Sequence, residues 1–177
     1  PAPSDSREAK VGLKDVIGYF RRPGIGRWLL VLLTYSLGIG MMYNMINPML
    51  VDIGWSLDQI GFTLNVVGIL FTIAGSGLAG WFVQKLGRKT TMLGGNAFVG
   101  VAILLLLPLA SGSTNPFFIY LSVAMMLFAF GANVTILSTM MMDKSDPASA
   151  GTDFTVQYSI GTVLAIFAGG AALTAAE

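Results

Sequence analysis

The 177-residue chain has no cysteine and no histidine, and only 11% of its residues are charged. Without cysteine there is no disulfide framework and no thiolate metal site. Without histidine the commonest metal ligand and the commonest general base are both missing. The shortage of charge excludes most. A soluble domain carries about 25% charged residues, and a chain with less than half of that cannot wrap a core in polar surface. What is present instead is apolar: 54% hydrophobic residues and a mean hydropathy of +0.74. The chain therefore belongs in a membrane, with lipid as its first partner. No nucleophile–base pair or metal cluster can be assembled from the remaining residues, so no enzyme, cofactor, metal or nucleic-acid partner is expected.

A bilayer core about 30 Å thick takes roughly 20 apolar residues per helix. Five runs are long enough: about 27–50, 60–83, 92–109, 117–141 and 154–173. Turn chemistry separates them, in "DIGWSLDQ", "QKLGRKTT", "SGSTNP" and "DKSDPASAGTD". The runs are too long, and too irregular in alternation, for membrane strands. The expected class is all-α, a polytopic membrane protein of five transmembrane helices.

The ten cations set the orientation. Arg7, Lys10, Lys14, Arg21, Arg22 and Arg27 precede or open the first run; Lys85, Arg88 and Lys89 follow the second, and Lys144 follows the fourth. The loops after the first and third runs hold none. Alternate crossing puts every cation on one side, which the positive-inside bias makes the cytoplasm. The N-terminus is expected there too. Residues 1–26 read as a cytoplasmic segment containing a short interfacial helix, with Leu13, Val16, Ile17 and Phe20 on one face and Pro23-Gly24 as its stop. Residues 27–177 hold the membrane part.

The spacing Gly80-x-x-x-Gln84-Lys85-x-Gly87-Arg88-Lys89 resembles the loop signature of the major facilitator superfamily, G-x-x-x-D-R-x-G-R-R/K. It lies between the second and third runs, where that family carries it. The resemblance implies a conformational latch made of Gly80, Gln84, Lys85, Gly87, Arg88 and Lys89, with Asp153 as the acid nearest that side. Gly80 would admit a neighbouring helix closely, and Gly87 would allow a tight reversal. Gln84 departs from the family's Asp and removes a charge from the latch. "SDPASAGTDFTVQYS" (145–159) and "NPMLVDIGWSLDQIG" (47–61) resemble the branch holding muropeptide permeases and siderophore-uptake permeases. On this resemblance the five runs are helices seven to eleven of a twelve-helix transporter. Facilitator halves are 3+3 inverted repeats, so an N-terminal half and a twelfth helix, or another membrane subunit, would complete the fold.

No Asp, Glu, Lys or Arg falls in the middle of a run, so no intramembrane proton relay is expected here. Thr152 and Asp153 read as caps of the fifth run. The polar neutral residues say more. Ser36, Gly40, Tyr43, Asn44 and Asn47 share one helical face, and Asn65, Thr72 and Ser76 share another. Counted from the helix ends, Asn44, Asn47 and Asn65 form an outer cluster, and Asn133 with Gln157 an inner one. The expected solute path is Tyr43, Asn44, Asn47, Asn65, Asn133 and Gln157, serving a small polar solute. The expected function is part of a secondary active transporter in the bacterial inner membrane, working by alternating access on a siderophore or muropeptide. The alternative is a facilitator-fold subunit or assembly factor that no longer transports.

Overall fold

The computed structural model describes residues 13–112 and 115–176, which form helices and no strand. Arg7 and Lys10, counted above with the cytoplasmic cations, lie outside the described residues. A short helix, α1 (Leu13–Phe20), precedes five long ones: α2 (Ile25–Asp52), α3 (Leu57–Leu86), α4 (Arg88–Ala110), α5 (Pro116–Asp143) and α6 (Ala150–Ala176). The long ones correspond to the five runs, each extended by one to four residues at either end. Capping explains the extensions. Ser56 and Gln59 form a reciprocal capping box that starts α3 at Leu57, and Asn115 caps α5 with Pro116 in its first turn. Gly87, at φ 80°, is the whole of the α3–α4 joint. This is the tight reversal the sequence anticipates, and a left-handed φ favours glycine there.

Two irregularities escape the sequence pattern. Thr63–Val67 of α3 is a π turn, closed by the Gly68 amide donating to the Thr63 carbonyl. The α-helical pattern of α4 breaks at Leu105–Leu106, ahead of Pro108. Membrane helices tolerate both when neighbours re-satisfy the freed groups. At the second break the Ser122 hydroxyl donates to the Leu105 carbonyl at 2.5 Å.

The long helices pack in two groups. α3 lies along α5 with α4 on α5's flank, and α2 lies along α6; lighter α2–α5 and α5–α6 contacts join the groups. The α3–α5 seam is backbone-close. A Cβ on Gly131 would strike the Thr72 carbonyl, and one on Gly75 the Phe128 carbonyl. Thr72 and Ser76 cross the seam, donating to the Leu127 carbonyl at 3.3 Å and the Gly131 carbonyl at 2.9 Å. Small residues and hydroxyl bonds hold helices together where lipid cancels the hydrophobic drive. Gly40 plays the same part between α2 and α6, where an added Cβ would stand 2.6 Å from the Ala165 carbonyl. Gly80 does not: nothing lies within 4 Å of a Cβ built there. The close approach anticipated at Gly80 is made one and a half turns earlier, at Gly75.

Large apolar side chains point outward along every long helix, Leu70, Ile166 and Phe167 among them. In water such a surface would aggregate; in lipid it is the solvated surface. A helix forms over Leu13–Phe20 and ends before Pro23-Gly24, with Gly24 at the start of α2, but the buried residue among its described side chains is Tyr19, which the apolar stripe omits. Ile17 and Phe20 of that stripe stay exposed, while Tyr19 packs with Ile25, Trp28, Leu32 and Met141.

Candidate functional site

Polar groups gather in three places. The largest is where α1 and the starts of α2 and α6 meet the end of α5. Asp153, fully buried, forms an ion pair with Arg22, 131 residues away. Its carboxylate also accepts the Asp146 amide at 2.8 Å and the Ser149 hydroxyl at 3.2 Å. Arg22 donates to Ser149 Oγ at 3.1 Å and lies over the Tyr19 ring, 5.5 Å from its centroid. One turn on, Gln157 accepts from Trp28 Nε1 at 2.6 Å. Its amide nitrogen donates to the Met141 carbonyl, the Asp153 carbonyl and Ser145 Oγ at 3.0–3.1 Å. Every oxygen and nitrogen of these two side chains is satisfied, which a buried polar group requires. The hydrogen bond to Asp153 raises the Arg22 pKa above its ordinary value. Burial, reinforced by the Asp153 charge, pushes the Tyr19 hydroxyl up to about 12. That hydroxyl is buried beside Trp28. Asp153 is not the cap that the sequence suggests: α6 begins at Ala150, and from its first turn, where helix dipoles favour acids, the carboxylate reaches back to Asp146 and Ser149 and ties that turn to the bend between α1 and α2.

The second place is the bundle interior. Tyr35 on α2 donates to Asn133 Oδ1 on α5, and Asn133 Nδ2 donates to the Ala129 carbonyl at 2.8 Å. Asn133 is fully buried. The expected inner cluster therefore divides. Asn133 stands eight residues, about 12 Å of helix, before Met141, whose carbonyl Gln157 holds. The two amides serve separate joints, α2–α5 and α2–α5–α6.

The third is the edge of α2 facing its two neighbours. Tyr43 stacks on Phe130 of α5 at 4.7 Å between centroids. Asn44 lies against Gly169 of α6 and donates to its own Gly40 carbonyl at 2.7 Å. Asn47, on the same face, is exposed and has no hydrogen-bond partner among the described residues. The expected outer cluster does not assemble as one unit. Asn65 sits in the π turn of α3, exposed and donating to Gly61, and α2 meets α3 chiefly at Leu57–Phe62.

Among the described residues no ion pair or hydrogen bond joins the 84–89 bend to Asp153. Arg88 pairs with Asp143 at the end of α5, at 2.6 Å. Lys85 lies over the Trp81 ring at 5.4 Å, and Gln84 and Lys89 are exposed. Sequence reasoning missed four of these partners: Arg22, Trp28, Tyr35 and Asp143. Arg22 was legible only as one more cytoplasmic cation, and the aromatic hydroxyl and indole only as apolar bulk.

Nothing in this set juxtaposes a nucleophile with a base, and among the described residues no group of acids could hold a metal ion. The arrangement instead joins helix ends by breakable polar contacts and leaves one polar edge open. No solved structure matches the chain significantly. The model of the Major Facilitator Superfamily matches residues 1–170. With five helices of membrane-spanning length and a family match over nearly all of its residues, the chain is a multi-pass membrane protein and belongs to the Major Facilitator Superfamily of transporters.

Proposed function

We propose that the chain forms helices seven to eleven of a twelve-helix secondary permease, which moves a siderophore or muropeptide across the bacterial inner membrane by alternating access. Residues 1–26 then belong to the central cytoplasmic segment, and an N-terminal half and a twelfth helix complete the pathway. The observation that carries this reading is the Tyr43–Asn47 edge. It offers a hydroxyl and two amides on an exposed face of a helix that crosses lipid. An unpaired amide in hydrocarbon costs several kcal/mol, so Asn47 must face water or protein, and a solute path provides both. Tyr43 and Asn44 flank it with an aromatic face and a second amide. The sequence likeness at 47–61 and 145–159 supports the solute class.

Alternating access needs contacts that break in one state. The Arg88–Asp143 pair is half-exposed, which keeps it weak enough to exchange; with Gln84, Lys85 and Lys89 it is the latch of this reading. Asn47→Leu is expected to lower solute uptake at least tenfold while expression and thermal unfolding in detergent stay unchanged. Normal uptake would reduce that edge to helix packing. Gln84→Asp places a carboxylate four residues before Arg88, across the Gly87 bend, and is expected to slow turnover by stabilising the latched state.

A further inference from the structure

Between α3, α4 and α5, beside the Leu86–Arg88 bend, runs a groove of about 410 Å³. That volume falls within the range of about 300–1,000 Å³ in which proteins hold small ligands. Its floor is shallow because Gly75, Ala79, Gly94 and Gly95 project little or nothing into it, and Leu78, Phe82 and Phe98 form its walls. From Gly75 to Leu86 the helix rises about 16 Å, close to half of a 30 Å hydrocarbon core, which is the depth of one leaflet. The groove opens outward. α3 and α4 bury only 17% of their apolar stretch, against 56% for α5, so no other described element covers the groove, and its apolar lining suits an acyl chain.

The mouth is cationic without compensation. Lys85 and Lys89 are the chain neighbours of the lining residues Leu86 and Thr90, and neither forms an ion pair among the described residues. Arg88 spends its charge on Asp143. No acid occurs between Asp58 and Asp143, so nothing nearby in the sequence neutralises the two lysines. Thr90 is exposed, its hydroxyl without a partner among the described residues, and α4 starts without a side-chain cap. Trp81 beside Lys85 has the character of an interfacial anchor.

We propose that the groove holds one anionic phospholipid of the surrounding bilayer, its acyl chain between α3 and α4 and its phosphate at Lys85, Lys89 and Thr90. Basic clefts between membrane helices select anionic headgroups by charge, whereas a zwitterionic headgroup brings no net charge to offset the lysines. The proposal does not rest on the solute; it shares Lys85 and Lys89 with the latch, and lipid retention reads them without any transport step.

The test is native mass spectrometry of the complete chain in detergent, titrated with phosphatidylglycerol and, separately, with phosphatidylcholine of the same acyl chains. One phosphatidylglycerol per chain is expected to be retained, and phosphatidylcholine at least tenfold more weakly. The Lys85→Gln/Lys89→Gln variant alters two exposed side chains, and should lose at least about tenfold in phosphatidylglycerol affinity. Gly94→Leu should block the groove while keeping both cations, because a Cβ there meets nothing within 4 Å and the chain still folds. Arg27→Gln, which removes an exposed cation elsewhere, should retain the lipid. Equal retention of the two lipids overturns the proposal. So does unchanged phosphatidylglycerol binding in either the lysine or the glycine variant.

Discussion

Asp153 is the residue on which the α2–α6 joint turns. It is fully buried, and its charge is met by one guanidinium, one hydroxyl and one amide. Removing one member of such a pair leaves the other uncompensated, at about 3–5 kcal/mol when both are buried. Arg22 keeps 30% of its side chain exposed, so solvent recovers part of that loss. Asp153→Asn is therefore expected to destabilise by about 1–3 kcal/mol, read as a fall in the thermal midpoint in detergent. The double variant with Arg22→Ala should cost less than the two single changes summed; strict additivity would mean the pair is not coupled. Tyr35→Phe takes the donor from Asn133 Oδ1 and leaves the ring in place. Hydrogen bonds between membrane helices are worth about 0.6 kcal/mol on average and up to about 1.7, and the enclosed position of Asn133 puts this one toward the upper figure. The same unfolding measurement decides it.

At the level of helices, the α3–α5 seam is the tightest and the least adjustable. Its two glycines face carbonyl oxygens rather than flexible side chains, so an added methyl can be accommodated only by separating the helices. Gly131→Ala should cost about 1–3 kcal/mol, the usual penalty of overpacking. It also threatens the Ser76 bond to the Gly131 carbonyl. Gly80→Ala, four residues after Ser76 and eight after Thr72 on the same α3, should cost nothing, because the space beside it is open. Equal losses at both positions would show that close packing at the seam is not what sets the cost, since alanine by itself favours a helix over glycine. The π turn at Thr63–Val67 lies just before this seam and shifts the face that α3 presents after it. No residue pattern announces such a turn, since it is set by what α3 must meet on α5.

For the whole molecule the governing feature is sidedness. Ion pairs and basic residues gather at one end of the bundle: Arg22 with Asp153, Arg88 with Asp143, and Lys85, Lys89 and Lys144 around them. The opposite end, around Ser56 and Ser111, carries no Lys or Arg. The native chain has no cysteine, so single-cysteine variants report one position each. Ser111→Cys, at an exposed turn, is expected to react with an impermeant maleimide applied outside intact cells. Lys144→Cys should react only after the membrane is opened. The reverse pattern would invert the bundle and move the Arg88–Asp143 pair to the outer face.

The number of membrane helices, their order and their approximate ends were determined by the sequence alone. Apolar length against bilayer thickness is a local quantity, and the joints carry caps and glycines that act within four residues. Family membership was likewise readable, from the spelling of one bend in its place between two runs. Which polar residues meet was decided only by the tertiary structure. Helical spacing says that Asn44, Asn47 and Asn65 lie at similar depth, but depth leaves open which neighbour each helix faces. That depends on α3 docking on α5, and α2 on α6, through glycines far from those amides. The same holds for Asp153 and Arg22. Each is legible as a charge near a helix end, and a pair forms only because the bend between α1 and α2 lays the guanidinium against the start of α6. Distances of 131 residues along the chain are closed by packing, and packing is a property of surfaces that no single stretch of sequence contains.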